Sequence, residues 1–245
     1  MVNYRAVVEY DGTEYCGFQI QPEGVATIQG CIQQAIAAVT GNEVSIKYAG
    51  RTDAGVHALH QVINFKLGSH QDIGRFKWSL NCVLPHDISI MDISPAEDEF
   101  DARRDAVRRQ YSYYVVNDRV QSVFLKRYSI MVTQKLDLDL MKKAAGLLQG
   151  KKDFKAFGNQ GEYGSTIRII YGLDIIRNID NLIIFRIEGS SFLYNMVRII
   201  VGTLLELGKG LRSLESIHKA LEARERELAG KTAPAKGLFL TKVLY

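Results

Sequence analysis

Between Tyr48 and Ala58 the chain reads Y-A-G-R-T-D-A-G-V-H-A, which sets one carboxylate, Asp53, just after a guanidinium, Arg51, inside a turn bracketed by Gly50 and Gly55. If the backbone enters this turn extended, Arg51 and Asp53 project from one face, because side chains alternate along a strand. The flanking glycines permit positive φ or the close approach of another backbone, as a turn pressed against a ligand requires. In isolation, Asp-Ala-Gly is also what a tight turn uses when the aspartate bonds its own backbone. A carboxylate beside a cation can do more: it can attack an electrophilic carbon or stabilise a cationic centre.

Two further stretches carry groups for the same chemistry. Phe100 to Tyr114 holds Arg103, Arg104, Arg108 and Arg109, partly offset by Asp101 and Asp105, and runs into Tyr111, Tyr113 and Tyr114. Guanidinium groups for phosphates followed by rings for bases suit an unstacked nucleotide. A solvated loop feeding a strand with core tyrosines explains the same residues. In Phe192 to Gly202, read as a helix, Asn195, Arg198 and Gly202 make a narrow polar or small stripe on an apolar cylinder. An arginine so placed needs an anionic partner. A structural carboxylate, a catalytic one or a substrate phosphate would each serve. His57 and His60 form H-x-x-H. A metal site needs at least three protein ligands, and no acidic or cysteine cluster joins them, so no metal is expected and His57 is read as orienting the turn by hydrogen bonding.

The elements that must position these groups are legible from pattern. The chain has 245 residues, 47% hydrophobic, and a formal charge of +4. That is ample for a core and compatible with a polyanionic partner without establishing one. Cys16, Cys31 and Cys82 are odd in number and unpaired in spacing, so they read as reduced core residues of a cytoplasmic protein. The N-terminus enters a strand pattern directly, with no basic region before a long apolar core, and Phe192 to Leu207 is interrupted by polar residues; neither a secretory signal nor a membrane span is expected.

Tyr4 to Tyr10 reads as a strand, Thr27 as the cap of a helix through Ile28, Ile32, Ala35, Ile36 and Val39, Ser45 to Ala49 and Leu59 to Phe65 as strands, Ile73 to Val83 as a helix with Trp78 in the core, and Asp87 to Ser94 as a strand. The second half repeats the order: strand Gln110 to Val116, helix Leu136 to Leu148, strands Ile167 to Arg177 and Leu182 to Glu188, helices Phe192 to Leu207 and Ser213 to Arg224, strand Leu238 to Val243. The expectation is an α+β protein of two ferredoxin-like (split βαβ) halves with antiparallel sheets joined side by side, helices on one face and a central cleft. Residues 1–105 would form an N-terminal subdomain carrying the aspartate turn, and 106–245 a C-terminal one.

Taken together, Y-D-G-T at Tyr10, G-F-Q at Gly17, G-R-T-D-A-G-V-H-A at Gly50, Leu80-Asn81 with Leu84-Pro85, Phe100 to Arg103 with Tyr111 and Tyr113, Met196-Val197-Arg198, and Thr232-Ala233-Pro234 with Gly237-Leu238 resemble TruA-type tRNA pseudouridine synthases from end to end. The G-R-T-D-A-G-V-H-A string is the specific part. The resemblance implies isomerisation of uridine to pseudouridine in the anticodon stem-loop, at tRNA positions numbered 38 to 40, by a cytoplasmic homodimer using no metal and no organic cofactor. It assigns Asp53 as the catalytic aspartate, Arg51 as its neighbouring arginine, Tyr111 as the active-site tyrosine and Arg198 as the arginine that pairs with the aspartate. Arg103, Arg108, Arg109 and His57 form the candidate RNA-binding set. Phe18 stands where many relatives carry Trp, and Arg104 where an aromatic is common.

The chemistry fits these types. Pseudouridine formation breaks the N1–C1′ bond, turns the uracil and joins its C5 to C1′, with no redox step. An ionised carboxylate can attack C1′ or stabilise an oxocarbenium-like centre there, and a nearby cation keeps a desolvated carboxylate ionised. The tyrosine ring can stack on uracil, and its hydroxyl can reach the C5 proton. A stacked base must be extruded, at a cost of a few kcal/mol that phosphate contacts offset. Two other classes use the same residues: a non-catalytic RNA-binding protein on paired α+β sheets, and a carboxylate-dependent nucleosidase that would release free uracil.

Overall fold

The computed structural model describes residues 1–22, 24–159, 164–178 and 181–245. They form two compact units, one of Met1–Val107 with Phe239–Tyr245, the other of Arg108–Leu238. The last strand, Leu238–Leu244, places Phe239 and Leu240 in parallel pairing with His57 and Ala58, so hydrogen bonding returns it to the first unit.

The first unit runs β1 (Val2–Tyr10), α1 (Ile28–Thr40), β2 (Lys47–Tyr48), β3 (His57–Leu67), α2 (Ile73–Val83) and β4 (Ile88–Ala96). Its sheet has the order β4-β1-β3-β2, antiparallel throughout, with the C-terminal strand also on β3. That is the strand order of a split βαβ unit. Thr27 caps α1 by accepting from the Gly30 amide, and Gly41, at φ 70, ends it in the left-handed region. Ile28, Ile32, Ala35 and Ile36 form its buried stripe, as the spacing predicts. Asp72 caps α2 by accepting from Arg75, and the helix stops at Leu84, whose extended backbone precedes Pro85.

α2 buries Phe76 and Leu80. Phe76 meets the rings of Tyr4 and Phe65 at 6.0 and 6.4 Å. Trp78, expected in the core, is instead 69% exposed, because it sits between Phe76 and Leu80 on the far side of the helix. The cysteines also depart from expectation: Cys16 and Cys82 are exposed and Cys31 is half-buried. Composition suggested burial for them, but position along each helix or turn decides it.

The second unit runs β5 (Arg108–Val116), β6 (Ile130–Met131), α3 (Leu138–Leu147), β7 (Gly150–Asp153), β8 (Ile167–Arg177), β9 (Leu182–Gly189), α4 (Met196–Gly208) and α5 (Leu214–Ala223). Its sheet is β5-β9-β8-β7, antiparallel, with β6 added in parallel to β5. β6 and β7 were not expected, since neither is long enough to show a period of two.

α4 is buried on every side apart from Arg198 and Glu206. That explains an apolar run too polar and too short for a bilayer: it is a core helix. It begins at Met196 rather than at Phe192, because Asn195 stands at φ 62, a conformation that cannot extend a right-handed helix. Among the described residues no helix is long and apolar enough to cross a membrane.

Candidate active site

In the first unit the turn that carries Asp53 is held along its whole backbone. The Phe18 amide donates to Thr52 O at 3.1 Å, and the Val56 amide closes back on Asp53 O at 3.1 Å. The Gln61 side chain donates to Gly50 O at 2.7 Å, and the hydroxyls of Tyr10 and Thr52 bond at 2.7 Å. Thr52 is 3% exposed. Arg51 on one side of it is exposed and Asp53 on the other half-buried. The in-and-out alternation predicted for an extended entry is therefore present, although these residues belong to no strand.

Two glycines make this approach possible. A Cβ on Gly12 would stand 2.0 Å from Val56 O, and one on Gly17, which lies at φ 97, would stand 2.9 Å from Thr52 O. Of the bracketing pair, Gly55 takes positive φ, at 74, and Gly50 does not. Thus Y-D-G-T and G-F-Q, weak as motifs, are the two walls against which the turn is pressed. Tyr15 supports the same wall. Its carbonyl receives the Gly55 amide at 3.4 Å, and its hydroxyl donates to Asp87 Oδ1 at 2.5 Å. Burial and the Asp87 carboxylate push the Tyr15 phenol well above its ordinary value, so it stays a donor.

His57 is 1% exposed, and its ring stacks on Phe239 at 4.5 Å. Its Nδ1 is 3.1 Å from the Gly12 amide and 3.1 Å from Asp11 Oδ1. An amide can only donate, so Nδ1 accepts from Gly12. Asp11 Oδ1 already receives the Thr13 amide at 3.0 Å and the Thr13 hydroxyl at 2.6 Å. The turn-orienting role holds. An RNA contact does not, since so buried a ring offers no surface to a macromolecule.

Tyr48 rests its ring 4.7 Å from that of Phe18, which is fully buried. Burial raises its phenol, and the cations of Arg103 and Arg51 pull it part of the way back. Arg103, distant in sequence, thus shares the neighbourhood of Arg51. It is delivered there by Asp101, whose Oδ1 accepts from the amides of Arg103 and Arg104 at 2.9 and 3.0 Å while Oδ2 meets Lys47 Nζ at 2.9 Å.

In the second unit Tyr111, on β5, is 8% exposed and meets Phe192 edge-to-face at 5.3 Å. Tyr113 is fully buried and donates to Pro234 O at 2.7 Å. Burial drives its phenol above the ordinary value, and the Arg198 cation opposes the shift. Arg198 Nε donates to Ala233 O at 2.8 Å and Nη1 to Asn195 Oδ1 at 2.7 Å, and its carbonyl receives the Ala233 amide at 3.1 Å. A Cβ on Gly202 would lie 1.8 Å from Lys231 O. The stripe of Asn195, Arg198 and Gly202 is therefore the track along which the Thr232-Ala233-Pro234 loop crosses the start of α4.

The other two arginines of the expected RNA set are otherwise engaged. Arg108 pairs with Glu188 at 2.8 Å and lies 4.5 Å over the Tyr171 ring. Arg109 is 8% exposed and donates to Ser190 O at 2.8 Å. Burial makes Arg109 a strut between β5 and the end of β9 rather than a phosphate contact.

The tRNA pseudouridine synthase family model matches residues 6–105 and 144–245. The chain belongs to that family. It is 44% identical to tRNA pseudouridine synthase A of Thermoanaerobacter pseudethanolicus over 246 residues, covering all of both chains. The enzymes of the same name from Brevibacillus brevis and Acetivibrio thermocellus match at 43% and 42%, again over all of both chains. The protein is accordingly a tRNA-modifying isomerase, and the non-catalytic and base-releasing alternatives fall away. The matched segments hold the Asp53 turn, Arg103 and Arg198; Tyr111 lies between them.

Some supports of the synthase were invisible to residue-type reasoning, notably Tyr15, Asp87 and Asp101. Asp101 is 6% exposed. Burial alone would raise its carboxyl, but Lys47 and the two arginine amides hold it well below the usual carboxylate range. A lowered folded value means that this stabilisation is complete above the unfolded value of about 3.9 and fades as pH falls through and below it. Asp101→Ala is therefore expected to cost about 2 kcal/mol at pH 7, lowering Tm by roughly 4–8 °C. The gap from wild type should narrow below about pH 4, read by thermal unfolding across pH.

Proposed function

We propose that the synthase isomerises uridine in the anticodon stem-loop, at positions 38 to 40, with Asp53 as the carboxylate that acts at C1′. The observation that carries this reading is the turn itself: a half-buried carboxylate and an exposed guanidinium presented by a backbone bonded at Gly50, Thr52, Asp53 and Gly55. Such rigidity has no use in a solvated loop. It suits a carboxylate that must meet one carbon at bonding distance.

Asp53 assists departure of the base from C1′. The freed uracil turns, C5 bonds to C1′, and the C5 proton leaves, with Tyr111 offering its ring to the base and its hydroxyl to the proton. Arg198 serves as the cation that keeps the carboxylate ionised. Arg51 and Arg103 hold the extruded nucleotide through its phosphates. Support comes from the full-length likeness to the curated synthases and from the arginines gathered near Tyr48. The enzyme acts in the cytoplasm as a homodimer, a state that light scattering in solution would check.

Mapping pseudouridine by carbodiimide-block primer extension on unmodified tRNA transcripts tests the position. Signal confined to 38 to 40 is the expected result, and signal only elsewhere overturns the proposal. Arg51→Ala is expected to weaken tRNA binding about tenfold and lower turnover as well, with the slope of log affinity against log salt falling by about one. Unchanged gel-shift and tritium-release kinetics would remove Arg51 from the site.

A further inference from the structure

Asn195 departs twice from what an asparagine before a helix does. A cap residue takes an extended backbone and turns its side-chain oxygen onto the second or third helical amide. Asn195 instead stands at φ 62 and ψ 3, and its side chain makes no bond to the helix amides. Its Oδ1 accepts from Arg198 Nη1 at 2.7 Å, while its backbone carbonyl still receives the Ile199 amide at 2.9 Å. Among non-glycine residues asparagine is one of the few that enter the left-handed region at modest cost. The residue type is therefore used for its conformation and its amide oxygen, not for capping.

The consequence falls on Arg198. Its Nε donates to the Ala233 carbonyl at 2.8 Å and its Nη1 to Asn195 Oδ1 at 2.7 Å, two bonds to different parts of the chain that together hold the plane of the guanidinium. A planar fork held at two nitrogens keeps one orientation. The left-handed backbone is what points the Asn195 amide back over the first turn of α4, where Arg198 lies.

We propose that Asn195 is a positioning residue for catalysis: it sets the orientation of the Arg198 guanidinium toward the reacting nucleotide. The inference rests on the reading of Arg198 as a catalytic group. Asn195→Gly separates conformation from side chain, because glycine keeps the left-handed backbone and lacks the amide. Asn195→Asp keeps an oxygen at the same place. The expected result for Asn195→Gly is a kcat about tenfold lower, with KM for tRNA within twofold and Tm within a few degrees of wild type; Asn195→Asp should recover most of the rate.

A structural role alone would move Tm and leave kcat of the folded fraction intact. Arg198→Ala, measured alongside, keeps the two readings apart. If Arg198→Ala abolishes turnover while Asn195→Gly retains wild-type kcat, the positioning role is overturned and the role of Arg198 stands. If Arg198→Ala itself turns over normally, both fall. Loss in Asn195→Gly with recovery in Asn195→Asp sustains the proposal.

Discussion

Asp53→Asn is expected to bind tRNA within about threefold of wild type and to lose pseudouridine formation by a factor of at least about 10³. Asparagine is isosteric, and it keeps the backbone contacts that hold this turn: Phe18 bonds Thr52, Gln61 bonds Gly50, and Val56 bonds the Asp53 carbonyl. The fold of the turn should therefore survive. The change removes a nucleophile and a negative charge, and no other part of the turn can supply either. Tritium release from C5-labelled tRNA measures the loss, and a filter-binding isotherm on the same preparation measures the retained affinity. Turnover within tenfold of wild type would exclude Asp53 as the group acting at C1′.

Gly12→Ala should be nearly as damaging without touching a reactive atom. The added carbon would lie 2.0 Å from Val56 O and 2.7 Å from Val56 C, both backbone, so no side-chain rotation relieves the clash. One of the two strands of chain must move. The Gly12 amide, which donates to His57 Nδ1 at 3.1 Å, moves with it. A displacement of about 1 Å at a catalytic group costs on the order of 10² in rate, and the overpacking costs about 2–4 kcal/mol of stability. Gly68→Ala is the matched control, since its Cβ would meet nothing within 4 Å. The expected pattern is a kcat loss near a hundredfold in the folded Gly12→Ala protein and wild-type behaviour in Gly68→Ala. A Gly12→Ala enzyme with normal kcat would show that the wedge does not locate the carboxylate.

Much of the fold was legible in local pattern. Thr27 ahead of the Ile28, Ile32, Ala35 and Ile36 stripe predicted α1, and the helix starts and caps as read. The alternating segments gave the long strands, because burial on one face imposes a period of two. Shorter pieces, β6 and β7, carry too few residues for any period, and their pairing depends on neighbours. Trp78 shows the limit of residue type: apolar character alone placed it in the core, whereas its phase relative to Phe76 and Leu80 puts it 69% in solvent.

The site divides in the same manner. Residue types and spacing singled out the Arg51–Asp53 turn, the stretch that ends in Tyr111 to Tyr114, and Arg198, and the likeness of the whole chain to a family implied the roles of Tyr111 and Arg198. Arg109, grouped with RNA contacts by charge, proved buried against Ser190, and His57 proved to serve the turn and not the RNA.

By itself, then, the sequence determined which reactive groups are at hand, a carboxylate, a neighbouring guanidinium and tyrosines, and the α+β framework that carries them, because reactivity resides in residue type and helices and strands follow from local periodicity. Only the tertiary structure decided what holds those groups still. Gly12 against Val56, Tyr15 on Asp87, Asp101 under Arg103, and Asn195 on Arg198 are contacts whose energies depend on distances of a few ångströms. The first two join segments far apart along the chain, where no pattern of spacing records the approach; the last two are local, but depend on backbone geometry that residue type alone does not state.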